Sequence, residues 1–286
     1  MSHSLGADCA QTVNGAWRAG EETSTEEDEA VSWLHPIRTL RRRQATSRPF
    51  PAAWDEIVAR NVPLAARLSE VDRADLRRRI QIFVGEKRFE GAGGLQMTDE
   101  VRVTVAAGAC LLLLHRDEDY YGGLATILVY PSAFRVHSRE HSADGLVTER
   151  NQVRLGEAWN AGAVVLSWDD VLRASTEGHG GHNVVLHEFA HQLDMEDRDA
   201  NGAPVLAHGS MYPAWAEILG DEFARLQAAA DAHESTLLDW YGAESPAEFF
   251  AVATETFFER PVDLRDRHPE LYGQLRAFYA QDPANW

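Results

Sequence analysis

His187, Glu188 and His191 stand in the pattern H-E-x-x-H, inside the stretch from Asn183 to Asp194. On a helix, two histidines four residues apart lie one above the other on a single face. Both imidazoles can then reach one metal ion at about 2.0–2.1 Å. Glu188, beside the first histidine, is placed to take a proton from a water on that ion, which is the chemistry of a zinc hydrolase. Val184, Val185, Leu186, Phe189, Ala190 and Leu193 make the same helix apolar nearly all round, as in a buried helix. A buried His/Glu/His face requires polar partners or a metal. The plainer reading of five such residues is a polar stripe over a core.

A catalytic zinc takes three protein ligands and leaves one position open. The continuation x-x-G-x-x-H, which would add a third histidine, is absent, because Asp194 and Asp197 occupy the matching positions. The alternative is a glutamate on a later helix. Glu244, Glu248, Glu255 and Glu259 are the candidates. Glu248 is the best placed, on the first turn of an apolar, Phe-rich helix. It also fits a capping box with Ser245, and position alone leaves ligand and cap equally open. Asp194, three residues past His191, is placed to orient a histidine by accepting its second N–H, or to sit in solvent at the helix end. His179 and His182 lie in a glycine-rich loop and are left out of the ligand set.

Composition narrows the classes. The 286 residues hold 27 basic and 45 acidic side chains, a net charge of −18, so a basic nucleic-acid-binding surface is not expected. Two cysteines, Cys9 and Cys110, make neither a disulfide framework nor a Cys-rich metal site. No basic-then-apolar leader opens the chain, and the run Val103–Leu114 is too short to span a bilayer, so the expected location is cytoplasmic.

The elements that must position these residues follow from periodicity and caps. Residues 1–48, acidic and then Arg-rich with few large apolar groups, read as a disordered tail. Residues 49–286 read as one domain, with a helical N-terminal lobe over about 49–145 and a catalytic lobe over about 146–286. A helix begins near Trp54, and Ser69 caps another over about 70–88. Val101–His115 is a buried helix, or a strand followed by a helix. Thr126–Tyr130 and Ala163–Ser167 read as strands, and Trp168–Ala174 as a short helix. Residues 137–150 read as a surface loop and 151–158 as an edge strand for aligning substrate. Asn183 caps the H-E-x-x-H helix. Further helices cover Trp215–Ala230, a stretch opened by Ser245–Pro246 that stops at Pro261, and about 268–280. The fold class is α+β, mainly helical and zincin-like, with a small mixed sheet packed on the H-E-x-x-H helix.

Separated blocks in order, His187–Asp194, Ala247–Val252, Glu255–Phe258, Leu128–Pro131, Gly156–Trp159, Val165–Trp168 and Phe278–Tyr279, resemble the Mlc titration factor A family of zinc metallopeptidases over roughly residues 50–286. The C-terminal part is similar to the catalytic domain of anthrax lethal factor, in which a tyrosine precedes the ligand glutamate by seven residues. Tyr241 and Glu248 match that spacing. The resemblance implies zinc held by His187, His191 and Glu248, Glu188 as general base and Tyr241 facing the site. It implies a peptidase, with aminopeptidase activity among its forms, acting on peptide or protein substrates. It also implies a second possibility, a regulatory protein that sequesters a transcriptional repressor. Val252 stands where the lethal factor pattern has a second glutamate, so that contact is either lost or supplied from elsewhere. Neither direct nucleic-acid binding nor a membrane partner is expected.

Overall fold

A computed structural model describes residues 35–116, 119–132, 140–141, 147–148, 162–176 and 181–286. The helices are α1 His35–Thr46, α2 Ala52–Asn61, α3 Glu70–Glu86, α4 Asp99–Leu112, α5 Trp168–Thr176, α6 Val184–Asp194, α7 Tyr212–Asp231, α8 Pro246–Glu259, α9 Pro261–Arg267 and α10 Pro269–Tyr279. The strands are β1 Arg88–Gly91, β2 Thr126–Tyr130, β3 Glu140–His141, β4 Val147–Thr148 and β5 Ala163–Ser167. Local chemistry sets several helix starts. The Ser69 hydroxyl accepts from the Asp72 amide at 3.1 Å to open α3. Thr98 opens α4 with Asp99 and Glu100 in the first turn, where acidic groups favour the exposed amides. Every residue of α4 from Val103 to Leu112 is buried, so this segment carried no periodicity to read.

β1, β2 and β5 form a three-stranded sheet in the order β1-β2-β5, with both pairings parallel. The sheet is therefore parallel among the described strands, where a mixed one was expected. Each connection in it runs through a long crossover, as parallel pairing requires. Ile127 and Val129 of β2, and Val164 and Leu166 of β5, point inward. The last strand leads directly into α5, and α6 packs against β5. Beyond it α8, buried at every position from Phe249 to Glu259, packs along α6.

Two ring clusters fix these layers. Phe189 of α6 meets Phe83 of α3 at 5.7 Å and Tyr121 at 4.9 Å between ring centres. Trp215 of α7, Phe250 of α8 and Phe278 of α10 meet pairwise at 5.5–5.9 Å. Phe83, Tyr121 and β2 belong to the expected N-terminal lobe, yet they pack on Phe189 of α6 and on β5. The two lobes thus share one core.

Two other expectations need correction. Residues 35–46 form α1 rather than disordered tail. Their few apolar groups are offset by Arg42, which donates to Glu86 at 2.6 Å and Asp119 at 2.8 Å. Residues 1–34 lie outside the described residues. Within the expected loop 137–150, β3 and β4 pair antiparallel. The substrate-aligning strand at 151–158 lies outside the described residues. Among the described residues no helix is long and apolar enough to cross a membrane.

The approach of α4 to α6 depends on one glycine. A Cβ on Gly108 would lie 2.6 Å from Val185 Cγ1. Gly108→Ala is expected to destabilise the fold by about 1–3 kcal/mol through overpacking, outweighing a helix-propensity gain of about 1 kcal/mol. Adding Val185→Ala should return part of the loss. Denaturant unfolding of the three variants measures both effects.

Candidate metal centre

The site is assembled from the facing surfaces of α6 and α8. Asn183 starts α6 by accepting from the Leu186 amide at 3.2 Å. Its helical run then stacks His187 and His191 on one face, with Nε2 atoms 3.2 Å apart. Ser245 starts α8 by accepting from the Glu248 amide at 3.2 Å, with Pro246 in the first turn. Only the backbone of Glu248 serves the cap. Its side chain turns to the histidines, with Oε2 3.0 Å from His187 Nε2 and 3.3 Å from His191 Nε2. The capping box is left half-made and the carboxylate reaches the site.

His187, His191 and Glu248 are the one group of three such side chains, among the described residues, whose ligand atoms lie within 4.8 Å of one another. Glu244 is not in this cluster, and Glu255 and Glu259 have other partners. Glu255 Oε1 accepts from His187 Nδ1 at 2.6 Å, and Oε2 accepts from the Asn183 amide. Glu259 accepts from Asn183 Nδ2 at 2.8 Å. Glu255 thus stands against His187 from a position seven residues past Glu248 on α8. Glu248, Glu255 and Glu259 are spaced i, i+7 and i+11, one face of a helix. That stripe of acids on an otherwise apolar helix was the available signal.

The electrostatics suit a cation. Burial works to lower the pKa of His187, but hydrogen bonds to Glu248 and Glu255 outweigh it and raise it to about 10. Burial works to raise Glu248, but hydrogen bonds from the two histidines bring it to about 2. His191, fully buried, is lowered by desolvation. Glu188 is buried beside them, so three carboxylates surround two imidazoles in a site largely withdrawn from water. Two nitrogens and one oxygen converging there fit a divalent metal ion.

Tyr241 stands at the mouth. Asp239 Oδ1 accepts from its amide at 2.7 Å and opens the short turn Trp240–Ala243, which packs on α8. The ring centre lies 5.8 Å from that of His187. Burial and the nearby Glu248 carboxylate raise its hydroxyl above the ordinary tyrosine range, so it stays protonated and able to donate. A cleft of about 350 Å³ opens here, with Ala174, Val184 and Val252 as apolar lining and Asp170, Arg173 and Asp239 as charged lining. His182 is at its rim, 3.4 Å from Asp239 and away from the ligand cluster. His179 lies outside the described residues.

The chain matches the model of the glucose-regulated metallo-peptidase M90 family over residues 37–280. That match takes in most of α1, which the resemblance read from sequence had left out. An uncharacterised protein of Synechocystis sp. is 41% identical over 256 residues, 89% of this chain and 93% of its own length. Proteins called Mlc titration factor A are 33% identical in Yersinia pestis, over 86% of this chain and 91% of theirs, and 31% identical in Cronobacter sakazakii, over 83% and 89%.

Asp194 is the last residue of α6 and is fully buried. Its Oδ2 accepts from the Gly202 amide at 2.8 Å and holds the turn that follows α6. Burial raises its pKa to about 7. The folded protein therefore holds this proton over a range, about pH 4–7, in which the unfolded chain has lost it. The associated stability is present below pH 4 and lost as pH rises through 7. Wild type is expected to lose about 2–4 kcal/mol relative to Asp194→Asn between pH 4 and pH 8. Urea unfolding of both proteins across that range, in the presence of a chelator, measures the difference.

Proposed function

The chain belongs to the glucose-regulated metallo-peptidase M90 family, and on that footing we propose that it is a zinc-dependent peptidase working through His187, Glu188, His191, Tyr241 and Glu248. The observation that carries this reading is the convergence of His187, His191 and Glu248 from two helices. Two imidazoles and a carboxylate form the His₂Glu donor set typical of catalytic zinc. When bound, zinc supplies a Lewis acid that lowers the pKa of a coordinated water to about 7 and polarises a carbonyl.

The chain's own residues do the rest. Glu188, buried beside His187, accepts the proton of the attacking water and delivers it to the leaving amine. Tyr241 donates a hydrogen bond to the oxygen that becomes negative as the carbonyl turns tetrahedral. Ala174, Val184 and Val252 in the cleft lining take a side chain of the peptide. Asp239 in the same lining supplies a negative charge that a free amino terminus would meet, which supports an aminopeptidase, while Asp170 is paired with Arg173, also of that lining, at 2.6 Å.

The name of the Mlc titration factor A relatives supports a second activity, sequestration of a transcriptional repressor. Such binding would need neither Glu188 nor the metal. A pull-down of a repressor that survives Glu188→Gln would separate the two activities.

Purified protein is expected to carry about one equivalent of zinc, and Glu188→Gln to keep the metal while losing peptide hydrolysis. Full hydrolysis by that variant would overturn the mechanism. Tyr241→Phe is expected to lower kcat by about 10²–10³ with KM little changed, as for loss of an oxyanion donor. Steady-state kinetics on peptides with free and acetylated amino termini measures this and tests the aminopeptidase assignment.

A further inference from the structure

Glu255 uses its two carboxylate oxygens separately, one on the first histidine of α6 and one on the residue that caps that helix. Its side chain is 6% exposed. Oε1 takes the His187 Nδ1 proton at 2.6 Å, and Oε2 takes the amide of Asn183, the residue that caps the helix. An ionised carboxylate only accepts, so His187 Nδ1 carries a proton at this contact. That leaves Nε2 directed at His191 and Glu248.

We infer that Glu255 is a positioning residue: it fixes the tautomer and ring orientation of His187 and, with its second oxygen, anchors the first turn of α6 to α8. The inference rests on the metal-site reading above. Both of its partners are N–H donors, so two acceptor atoms are required. Glutamine offers one acceptor and would set an N–H against an N–H at the other contact. Aspartate draws the group back by one methylene. Glutamate alone among the acidic and amide residues satisfies both contacts from this position on α8. The anchor continues through Glu259, which takes the Asn183 side chain at 2.8 Å. Glu255 therefore holds both the backbone at the start of α6 and the ring of a metal ligand, through separate oxygens.

The test measures metal rather than turnover. Metal-free wild type, Glu255→Gln, Glu255→Ala and Asn183→Ala are titrated with zinc against a chromophoric chelator, and the melting temperature of each metal-free form is recorded. Both Glu255 variants are expected to bind zinc about 10–100-fold more weakly, the usual consequence of losing a carboxylate behind a ligating histidine. The visible d–d bands of their cobalt-loaded forms should differ from wild type. Asn183→Ala, which weakens the cap and leaves His187 Nδ1 on Glu255, should lower the melting temperature with zinc affinity within about threefold of wild type. If the Glu255 variants lower only the melting temperature and bind zinc as wild type does, Glu255 is structural and the inference is wrong. Failure of wild type itself to bind zinc would instead remove the metal-site reading on which it stands.

Discussion

The packing of α8 along α6 brings three glutamates into the interior, and a buried carboxylate costs several kcal/mol unless it is paired and hydrogen-bonded. Glu248, Glu255 and Glu259 all meet that condition across the same interface, on His187, His191 and Asn183. Phe249, Phe250, Phe257 and Phe258 flank them on the same helix and are fully buried. At about 1.5–3 kcal/mol for each buried aromatic side chain, these residues offset the desolvation of the acids and hold the helix in place. The acids in turn fix its rotation, because only one face of α8 carries acceptors for what α6 presents. The apolar groups set the strength of this interface and the polar groups set its register.

The remaining elements support that contact. The parallel sheet gives α6 a flat backing through β5, and Gly108 lets α4 come close behind it. Phe189 locks the opposite face of α6 to α3. The turn bearing Tyr241 rests on α8, so the tyrosine and Glu248 are positioned by the same element. The cleft then opens where α5, α6 and that turn meet, lined by both apolar and charged side chains. A site on rigid elements, with its mobile chemistry confined to side chains, suits the positioning demands of hydrolysis.

Much of this was legible in the sequence, and the exceptions have physical causes. The H-E-x-x-H spacing carries its own geometry, and the strands at 126–130 and 163–167 were marked by short apolar runs. Ligand and cap at Glu248 could not be separated, since both begin from Ser245 three residues earlier. The structure divides them between backbone and side chain. The pairing of Glu255 with His187 joins residues 68 apart, and no local rule encodes it. Helix α4 was ambiguous because burial on all sides erases the 3.6-residue period. Helix α1 was misread because its docking rests on Arg42 finding Glu86 and Asp119, contacts that composition does not reveal.

The central claim is that α6 and α8 together hold one zinc ion through His187, His191 and Glu248. X-ray absorption at the zinc edge of the loaded protein tests it most directly. The expected spectrum has two imidazole nitrogens and carboxylate oxygen at about 2.0–2.2 Å with no sulfur, and Glu248→Ala should lose a protein oxygen while keeping both imidazoles. A zinc environment unchanged by Glu248→Ala, or one lacking two imidazoles, would contradict it.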